Sequence, residues 1–515
     1  MRRVPWLVWA AIGLCLPFLG KAPAIDEESY LWMGSHLSPL HPYDWQRVWQ
    51  GTSTYAYAHP PLFLWWMWLF APFHEHTFGL RIVSGLPFVA LYAWAASRLA
   101  RRLCNHPDLA ELAWITSATV LLGLHDSLEI DLPMAALLTA GVAAYREGFE
   151  DERWFPLAGF ALGLAIEVKY TAVVFLPVLL VHMIRRGWRW PLVVAAAVPI
   201  VGIELFLYAT YREWHPVAVW AGRHEIAHGD MGGRWLGVLA RAALLPVGLV
   251  LIRTHAVVFA CGVLLALGSL AAVRPQPLDG TGAALLLTCA ALGSALLLRA
   301  VLAAFSSSAR RRKGDRDDAL LLGGWFISVV MGVVLAHNYA SARYLLPASV
   351  PAAILLARAA EDMEGGKLIL RATSAVAGAF SLLLAIADYR YARAGAEVGR
   401  TVSLAMENEG LSPGRFAGEW SFRHAMERAG WTRFDPAEVL PTGMVVAIAS
   451  DASPGDVDKS RLVPMKRFES RDNFPVRVVD IDHGVGLYAE TLGPLPFSLN
   501  GGPLESVSVY RVGAP

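Results

Sequence analysis

The sequence contains a long succession of apolar runs, each of about 17 to 25 residues, which is the length that crosses a bilayer as an α-helix. The runs begin at residue 4 and end near residue 388. The composition agrees, because 55% of the 515 residues are hydrophobic and only 17% are charged. An ordinary soluble enzyme of this size is far less apolar. The chain is therefore predicted to be a polytopic α-helical membrane protein.

Lysine and arginine accumulate in the short cytoplasmic loops of membrane proteins, and this bias orients the spans. The basic clusters of this sequence are Arg2-Arg3, Arg98–Arg102, Arg185–Arg189, Arg310–Arg316 and Arg358–Arg371. With these clusters inside, thirteen spans are predicted, at 4–20, 80–98, 112–125, 131–145, 155–168, 170–184, 191–210, 236–252, 255–273, 282–304, 319–336, 344–360 and 372–388. An odd number of spans places the amino terminus in the cytoplasm and the C-terminal region outside.

The remainder of the chain has a different character. Residues 389–515 carry shorter apolar runs, frequent charges and many glycines and prolines. A short amphipathic helix is predicted at 419–428, and strands are predicted at 444–450, 476–481 and 506–512. We therefore predict two domains: a membrane domain at 1–388, whose first outer loop spans 21–79, and a small periplasmic α/β domain at 389–515.

The first apolar run has a second interpretation. Ala22-Pro23-Ala24 follows it and fits a signal-peptide cleavage site. Lys21 interrupts the approach to that site, and cleavage would remove the anchor of the following loop. The run is therefore predicted to be a transmembrane span.

Charge and cysteine content exclude several classes of protein. A formal net charge of +1 gives no basic surface for nucleic acid. The four cysteines, Cys15, Cys104, Cys261 and Cys289, lie in or beside apolar segments and form no CxxC pair. Neither a disulfide framework nor a zinc ribbon is encoded.

One apolar stretch, residues 155–182, is interrupted in its middle by Glu167-Val168-Lys169-Tyr170. Basic residues flank both ends, so the stretch is predicted to enter the membrane and return as two short helices. Charged residues at such a tip must face a water-filled cavity, because lipid exposure costs several kcal/mol.

The predicted topology brings many ionisable groups to the outer face. They are Asp26, Glu27, His59, His125, Asp126, Glu129, Asp131, Lys169, the 211–235 loop, and Arg343 with its neighbour Tyr344. Such a ring around a membrane-level cavity predicts an active site open to the periplasm. Nucleotide donors are not normally available there, and the sequence contains no phosphate loop of the GxxxxGK[ST] type. An enzyme at this face would need a donor activated in the cytoplasm and delivered by lipid.

Five segments together carry a resemblance to a known family. They are Asp26-Glu27-Glu28-Ser29-Tyr30, Tyr57-Ala58-His59-Pro60-Pro61-Leu62, Asp131-Leu132-Pro133, Glu167-Val168-Lys169-Tyr170, and Ala342-Arg343-Tyr344-Leu345-Leu346-Pro347. The sequence resembles glycosyltransferases of the GT-C superfold. It is most similar to family 39, which includes protein O-mannosyltransferases and the bacterial aminoarabinose transferase of lipid A.

The resemblance implies a bacterial inner-membrane enzyme that transfers a monosaccharide from a polyprenyl-phosphate donor to a hydroxyl group of a protein, lipid or glycan. Asp26 is then the general base, with Glu27 and Asp131 as further catalytic candidates. The groups expected to bind the donor phosphate are Lys169, Arg343, Tyr344 and His59. The chemistry is consistent, because phosphate is a good leaving group and a single displacement needs one base and cationic stabilisation.

The resemblance also raises the question of a metal. The aminoarabinose transferase holds a divalent ion between a glutamate just before its Pro-Pro pair and a histidine of a later outer loop. Here Ala58-His59 precede Pro60-Pro61, so that glutamate is missing. A divalent ion bound by His59 with His224 or His228 is the remaining metal hypothesis.

Structural roles compete with each of these assignments. Asp26 and Asp131 precede predicted helices and have the residue type of helix N-caps. Lys169 has a partner of opposite charge in Glu167 or can extend to the surface, and Arg343 fits the outer flank of a helix. His59 fits a loop hydrogen bond, and Pro60-Pro61 fits a boundary between two segments.

Two other functions compete with glycosyl transfer. His224-Glu225-Ile226-Ala227-His228 has the HExxH form of zinc proteases, and Asp279 is a candidate third ligand. An intramembrane protease needs that motif inside an apolar helix, whereas here it lies in a polar loop. A transporter also carries intramembrane charges and broken helices, but no inverted repeat is visible in the span pattern.

Overall fold

The computed structural model describes residues 4–44, 59–222, 230–245, 256–273, 278–305, 316–435, 438–455, 457–472 and 474–514. Within these ranges, the chain up to residue 408 is mainly helical, and the chain after it forms a mixed α/β domain. The predicted fold class, a polytopic helical membrane protein with a small C-terminal α/β domain, is confirmed.

Helices occupy the described part of every predicted span, and residues 246–252 of the span predicted at 236–252 lie outside the described residues. In chain order, the helices of the membrane domain are α1 Trp6–Cys15, α2 Glu27–His36, α3 Leu62–Leu69, α4 Thr77–Leu103, α5 Pro107–Ile115, α6 Ala118–His125, α7 Asp131–Glu147, α8 Trp154–Val168, α9 Leu176–Arg186, α10 Trp190–Tyr211, α11 His215–Gly222, α12 Met231–Ala242, α13 Ala256–Val273, α14 Gly280–Phe305, α15 Arg316–Ala336, α16 Leu346–Glu361 and α17 Gly366–Asn408.

Five of the described helices are long and apolar enough to cross a membrane by themselves, namely α4, α10, α14, α15 and α17. Several others are shorter apolar helices, including α1, α8 and most of α13. The predicted total of thirteen spans stays a prediction. The single span predicted at 112–125 is wrong in detail, because α5 ends at Ile115 and α6 begins at Ala118.

The predicted break near Lys169 is present. Helix α8 ends at Val168, Lys169 is extended with φ −152° and ψ 118°, and a 3₁₀ segment at Tyr170–Phe175 leads into α9. After α9 the chain comes back to the start of α8, since the guanidinium of Arg189, the N-cap of α10, lies 5.1 Å from the centroid of the Phe155 ring. The segment therefore goes in and returns, with Lys169 at its tip.

Close packing of α8 against α10 fixes the position of that tip. A Cβ at Gly159 would lie 2.0 Å from the Leu192 carbonyl oxygen, and one at Gly163 would lie 2.4 Å from that of Ala196. Small residues four positions apart are the usual means by which membrane helices approach this closely. The two glycines hold α8 against α10 and so anchor the residue that follows α8.

The C-terminal domain is built on one five-stranded sheet. Its elements are β1 Arg415–Ala417, α18 Trp420–Arg428, β2 Thr432–Arg433, β3 Val445–Ala449, β4 Leu462–Asp472, β5 Val479–Asp480, β6 Val485–Gly486 and β7 Gly502–Val512. The strand order is β2-β1-β3-β7-β4, and β5 pairs separately with β6. Strands β2, β1 and β3 are parallel, while β7 is antiparallel to β3 and β4. The predicted helix is present, and the strands predicted at 444–450 and 506–512 correspond to β3 and β7. The strand predicted at 476–481 is present only as the two residues of β5, and β1, β2, β4 and β6 were not predicted.

Helix α17 joins the two domains. It runs for 43 residues without interruption through position 388, where the sequence places the domain boundary. Its last third packs on α18 and contributes Val398, Val402 and Met406 to the core of the C-terminal domain. The two domains therefore share one continuous helix.

Candidate functional site

A cluster of five ionisable side chains, here called the Arg343 cluster, lies where the ends of several helices meet. Its members are Asp26, Glu129, Asp131, Lys169 and Arg343. They come from four separate segments of the chain. Four of them were predicted as catalytic or phosphate-binding residues, and the structure brings these together: Asp26, Asp131, Lys169 and Arg343.

Arg343 is the centre of the cluster. Its Nη2 donates a hydrogen bond to Asp26 Oδ2. Its Nη1 lies 2.8 Å from Glu129 Oε2, and its Nε lies 3.4 Å from Asp131 Oδ2. A planar guanidinium with donors in fixed directions suits such a shared position.

Lys169 is the second cation of the cluster. Its Nζ donates to Asp131 Oδ1 at 2.6 Å and lies 4.3 Å from the centroid of the Tyr344 ring. The Arg343 guanidinium carbon is 5.4 Å from the same ring, so Tyr344 separates and supports two cations. The interpretation of Lys169 as a partner of Glu167 is wrong, because the side-chain oxygens of Glu167 have no hydrogen-bond partner.

Asp26 differs from the other members in its accessibility. Its side chain is 40% exposed, whereas the other four are between 2% and 8% exposed. It occupies the N-cap position of α2 but makes no side-chain capping bond. Asp131 likewise caps nothing, since α7 begins at Asp131 itself and its N-cap is Ile130. The carboxylate that reaches solvent in this cluster is therefore that of Asp26.

The backbone before Asp26 is strained. Ile25 has φ +53°, a left-handed conformation that is unfavourable for a β-branched residue. The Asp26 amide donates to Glu129 Oε1 at 3.2 Å, which holds the turn in place. Strain of this kind persists where surrounding contacts impose it, and it is common at functional sites.

Burial shifts the pKa of two groups around the cluster. Desolvation raises the pKa of Glu129 well above its ordinary value, against the opposing effect of Arg343. Desolvation also lowers the pKa of His59 to about 3. The His59 ring is therefore neutral at neutral pH, and the cations of the Arg343 cluster are Lys169 and Arg343.

Glu27 does not join its neighbour Asp26. Its carboxylate accepts two hydrogen bonds of 2.7 Å from Arg81 and further bonds from the amides of Ala24 and Leu128 at 3.2 and 3.3 Å. Both side chains of the pair are 1% exposed. The geometry gives Glu27 a structural role behind Asp26 rather than a place among the reacting groups. Arg81 was missed, although an arginine at the outer end of a predicted span is unusual and was a usable signal.

A second buried group, here called the Lys21 cluster, lies next to this pair. It comprises Lys21, His125, Asp126, Asp388 and Tyr488. Lys21 bonds both carboxylates, and the Tyr488 hydroxyl donates to Asp126 Oδ2 at 3.2 Å and also bonds Asp388. It links α1, α6, α17 and the C-terminal domain.

The metal hypothesis falls partly outside the described residues, because His224 and His228 lie in 223–229. Within the described residues, one group of three side chains has metal-ligand spacing, namely His125, Asp126 and Asp388. His59 is not part of it. The Lys21 ammonium already bonds both carboxylates of this group, so the donor set does not suit a resident divalent ion.

The protease motif at 224–228 also lies outside the described residues. Its proposed third ligand, Asp279, accepts a hydrogen bond from the Gly282 amide at 2.6 Å and so caps the start of α14. The described structure gives Asp279 a helix-capping role.

Comparisons with known proteins agree with the resemblance found in the sequence. The family model described as "Dolichyl-phosphate-mannose-protein mannosyltransferase" matches residues 58–214. Alpha-(1->6)-mannopyranosyltransferase A of Mycobacterium tuberculosis is 30% identical over 268 residues, which is 46% of this chain and 46% of that protein. The chain thus matches about half the length of this curated relative.

Two crystal structures of ArnT from Cupriavidus metallidurans are similar to the chain at 15% sequence identity. For the structure bound to undecaprenyl phosphate the TM-score is 0.46, and the match covers 82% of this chain and 74% of the ArnT chain. For the apo structure the TM-score is 0.42, and the match covers 86% of this chain and 92% of the ArnT chain. The family model and the mycobacterial relative confirm the resemblance found in the sequence: this chain resembles glycosyltransferases of the protein mannosyltransferase type.

Proposed function

We propose that this protein is a glycosyltransferase that moves a sugar from a polyprenyl-phosphate donor to a hydroxyl acceptor at the outer face of the bacterial inner membrane. The observation that carries the proposal is the Arg343 cluster, in which the accessible Asp26 carboxylate pairs with the buried Arg343, and Asp131 joins Arg343 to the buried Lys169. The family match at 58–214 and the mannosyltransferase relative support the same class of reaction.

The reaction is a single displacement. The acceptor hydroxyl oxygen attacks the anomeric carbon, the bond between that carbon and the phosphate oxygen breaks, and the lipid phosphate leaves. Asp26 takes the hydroxyl proton, which is a step that contributes about 10² to 10⁴ in rate when the base is well placed. Arg343 and Lys169 stabilise the charge that develops on the departing phosphate.

The ion pair between Asp26 and Arg343 gives this mechanism an order. Before donor binding, Arg343 holds the base. A donor phosphate competes with Asp26 for the guanidinium, so its arrival releases the carboxylate to accept a proton. The base is then free only when the leaving group is in place.

A small apolar crevice lies beside the cluster. Its volume is about 20 Å³, and its lining residues include Met134, Leu138, Val329, Val333, Tyr344 and Pro347. Tyr344 belongs both to this crevice and to the support of the two cations. A phosphate at the cations therefore has apolar side chains beside it, while its isoprenoid chain needs more space than the crevice holds and extends into the bilayer.

The test is transfer by reconstituted protein. Full-length chain in liposomes is given radiolabelled polyprenyl-phosphate mannose and an extract of envelope acceptors. We expect label in an acceptor with the native chain and loss of transfer by at least about 10²-fold with Asp26→Asn. Asp44→Asn, an exposed aspartate of the same outer loop, is the matched control and should transfer normally.

Three outcomes contradict the proposal. Near-native transfer by a folded Asp26→Asn protein shows that Asp26 is not the base. Accumulation of solute inside the liposomes, with no acceptor labelled, indicates a transporter. Cleavage of a membrane peptide without sugar transfer indicates a protease.

A further inference from the structure

A groove between α1 and α17 combines an apolar floor with a charged end. Its volume is about 640 Å³. Leu14, Phe18, Leu382 and Ile386 line its apolar part. Gly13 leaves its entrance open, since a Cβ at that position would meet no atom within 4 Å.

The polarity of the groove changes at the level where α17 leaves the predicted bilayer. Leu382 and Ile386 precede the predicted end of the last span at residue 388, and Arg390 and Arg393 follow it on the same helix. An amphiphile in this groove has its acyl chain beside the leucine and isoleucine and its headgroup beside the arginines. This is the arrangement of a lipid in the outer leaflet.

The charged end of the groove is balanced. Arg390 donates to Asp472 at 2.5 Å, and Arg393 donates through Nε to Glu397 at 2.6 Å. All four side chains line the groove, and the arginine side chains are 43% and 67% exposed. Two cations and two anions complement a headgroup that carries both signs, whereas a purely anionic headgroup meets two carboxylates.

The groove is separate from the Arg343 cluster. The Phe18 ring contacts the His125 ring with their centroids 5.0 Å apart, and His125 belongs to the Lys21 cluster. That buried cluster stands between the groove and Asp26. A ligand of the groove is therefore neither donor nor reacting acceptor, and the inference does not rest on the proposed transferase activity.

We propose that the groove between α1 and α17 is a binding site for a zwitterionic phospholipid of the phosphatidylethanolamine class. One acyl chain lies along Leu14, Phe18 and Leu382. The phosphate accepts hydrogen bonds from Arg390 and Arg393, and the ammonium group donates to Glu397.

The first test fills the groove. Gly13→Trp places an indole at its entrance, and Gly202→Trp is the matched control, because a Cβ at Gly202 on α10 also meets no atom within 4 Å. Full-length proteins are washed in detergent containing equal phosphatidylethanolamine and phosphatidylglycerol, and bound lipid is measured by native mass spectrometry. We expect one retained phosphatidylethanolamine on the native chain and on Gly202→Trp, and about tenfold weaker retention on Gly13→Trp.

The second test removes the headgroup contacts and keeps the proposal falsifiable if the first variant unfolds. Arg390→Gln with Arg393→Gln should abolish the preference for phosphatidylethanolamine, whereas Arg371→Gln, an exposed arginine elsewhere on α17, should keep it. Equal retention of the two lipids by the native chain shows an unselective lipid surface and overturns the proposal. Undiminished retention on both folded groove variants does the same.

Discussion

Arg343 donates a hydrogen bond to the Asp26 carboxylate, although the two residues lie 317 positions apart in the chain. The same guanidinium contacts Glu129 and Asp131. One arginine from the turn before α16 therefore organises carboxylates from two other segments of the chain. In the proposed mechanism it both restrains the base and receives the leaving group.

Replacing Arg343 by glutamine should lower kcat by about 10² to 10³, because a preorganised donor to the departing phosphate is lost. Steady-state transfer with labelled donor measures it. Arg371→Gln removes an exposed arginine that pairs with Asp108 and should leave kcat unchanged. A folded Arg343→Gln protein with native kcat contradicts the assigned role.

Glu27→Gln should destabilise the protein by about 3 to 5 kcal/mol, since it leaves the Arg81 charge buried without its bidentate partner. Adding Arg81→Met should recover part of this loss. Thermal unfolding in detergent measures the stability of both variants.

Asp26→Asn should instead lose activity with little change in melting temperature, because the Asp26 side chain is 40% exposed. Equal melting temperatures for Glu27→Gln and the native chain would falsify the structural assignment of Glu27.

Lys21→Met should also destabilise the fold by about 3 to 5 kcal/mol, because it leaves Asp126 and Asp388 facing each other in a buried site. The vacated position has three ligands, His125, Asp126 and Asp388. Zn²⁺ should therefore raise the melting temperature of Lys21→Met and not that of the native chain. If Zn²⁺ raises the melting temperature of the native chain, and still does so after His125→Ala, this explanation is wrong.

The contact between α2 and the C-terminal domain should weaken as pH rises. Arg423 of α18 lies 3.2 Å from Glu28 Oε2, and Glu419 and Glu427 surround the same guanidinium. Burial raises the pKa of Glu28 from 4.5 to about 8. A carboxyl whose pKa is raised on folding contributes stability that is present below its unfolded pKa and is lost as pH rises through the folded value.

The native chain should consequently lose melting temperature between about pH 5 and pH 8, while Glu28→Gln should show a flatter profile. Differential scanning fluorimetry across that range measures the two slopes. Glu75→Gln, which removes the exposed partner of Arg428, is the control and should follow the native profile. Parallel slopes for Glu28→Gln and the native chain refute the assignment.

Much of the membrane domain was predictable, because apolar length and the distribution of arginine constrain helices strongly. The break at Lys169 and the meeting of Asp26, Asp131, Lys169 and Arg343 followed from topology and family resemblance. The identity of ion-pair partners did not follow. Lys21 and Asp388 lie 367 positions apart, and nothing local to either residue identifies the other.

The C-terminal domain shows a second limit of sequence reasoning. Strand β4 was missed because its sequence, Leu462–Asp472, is rich in charged residues. It pairs with β7 alone at the edge of the sheet, where charged side chains are favoured because they discourage further pairing. Its β character comes from its neighbour rather than from an alternating apolar pattern.

A helix of 43 residues is about 65 Å long, roughly twice the thickness of the hydrocarbon core. The C-terminal domain is attached to the membrane domain by this helix and also by side-chain contacts of its own, from Tyr488 to Asp126 and from Arg423 to Glu28. A rotation of the C-terminal domain about the helix would break these buried contacts. The two domains are therefore expected to move as one unit, without a hinge at residue 388.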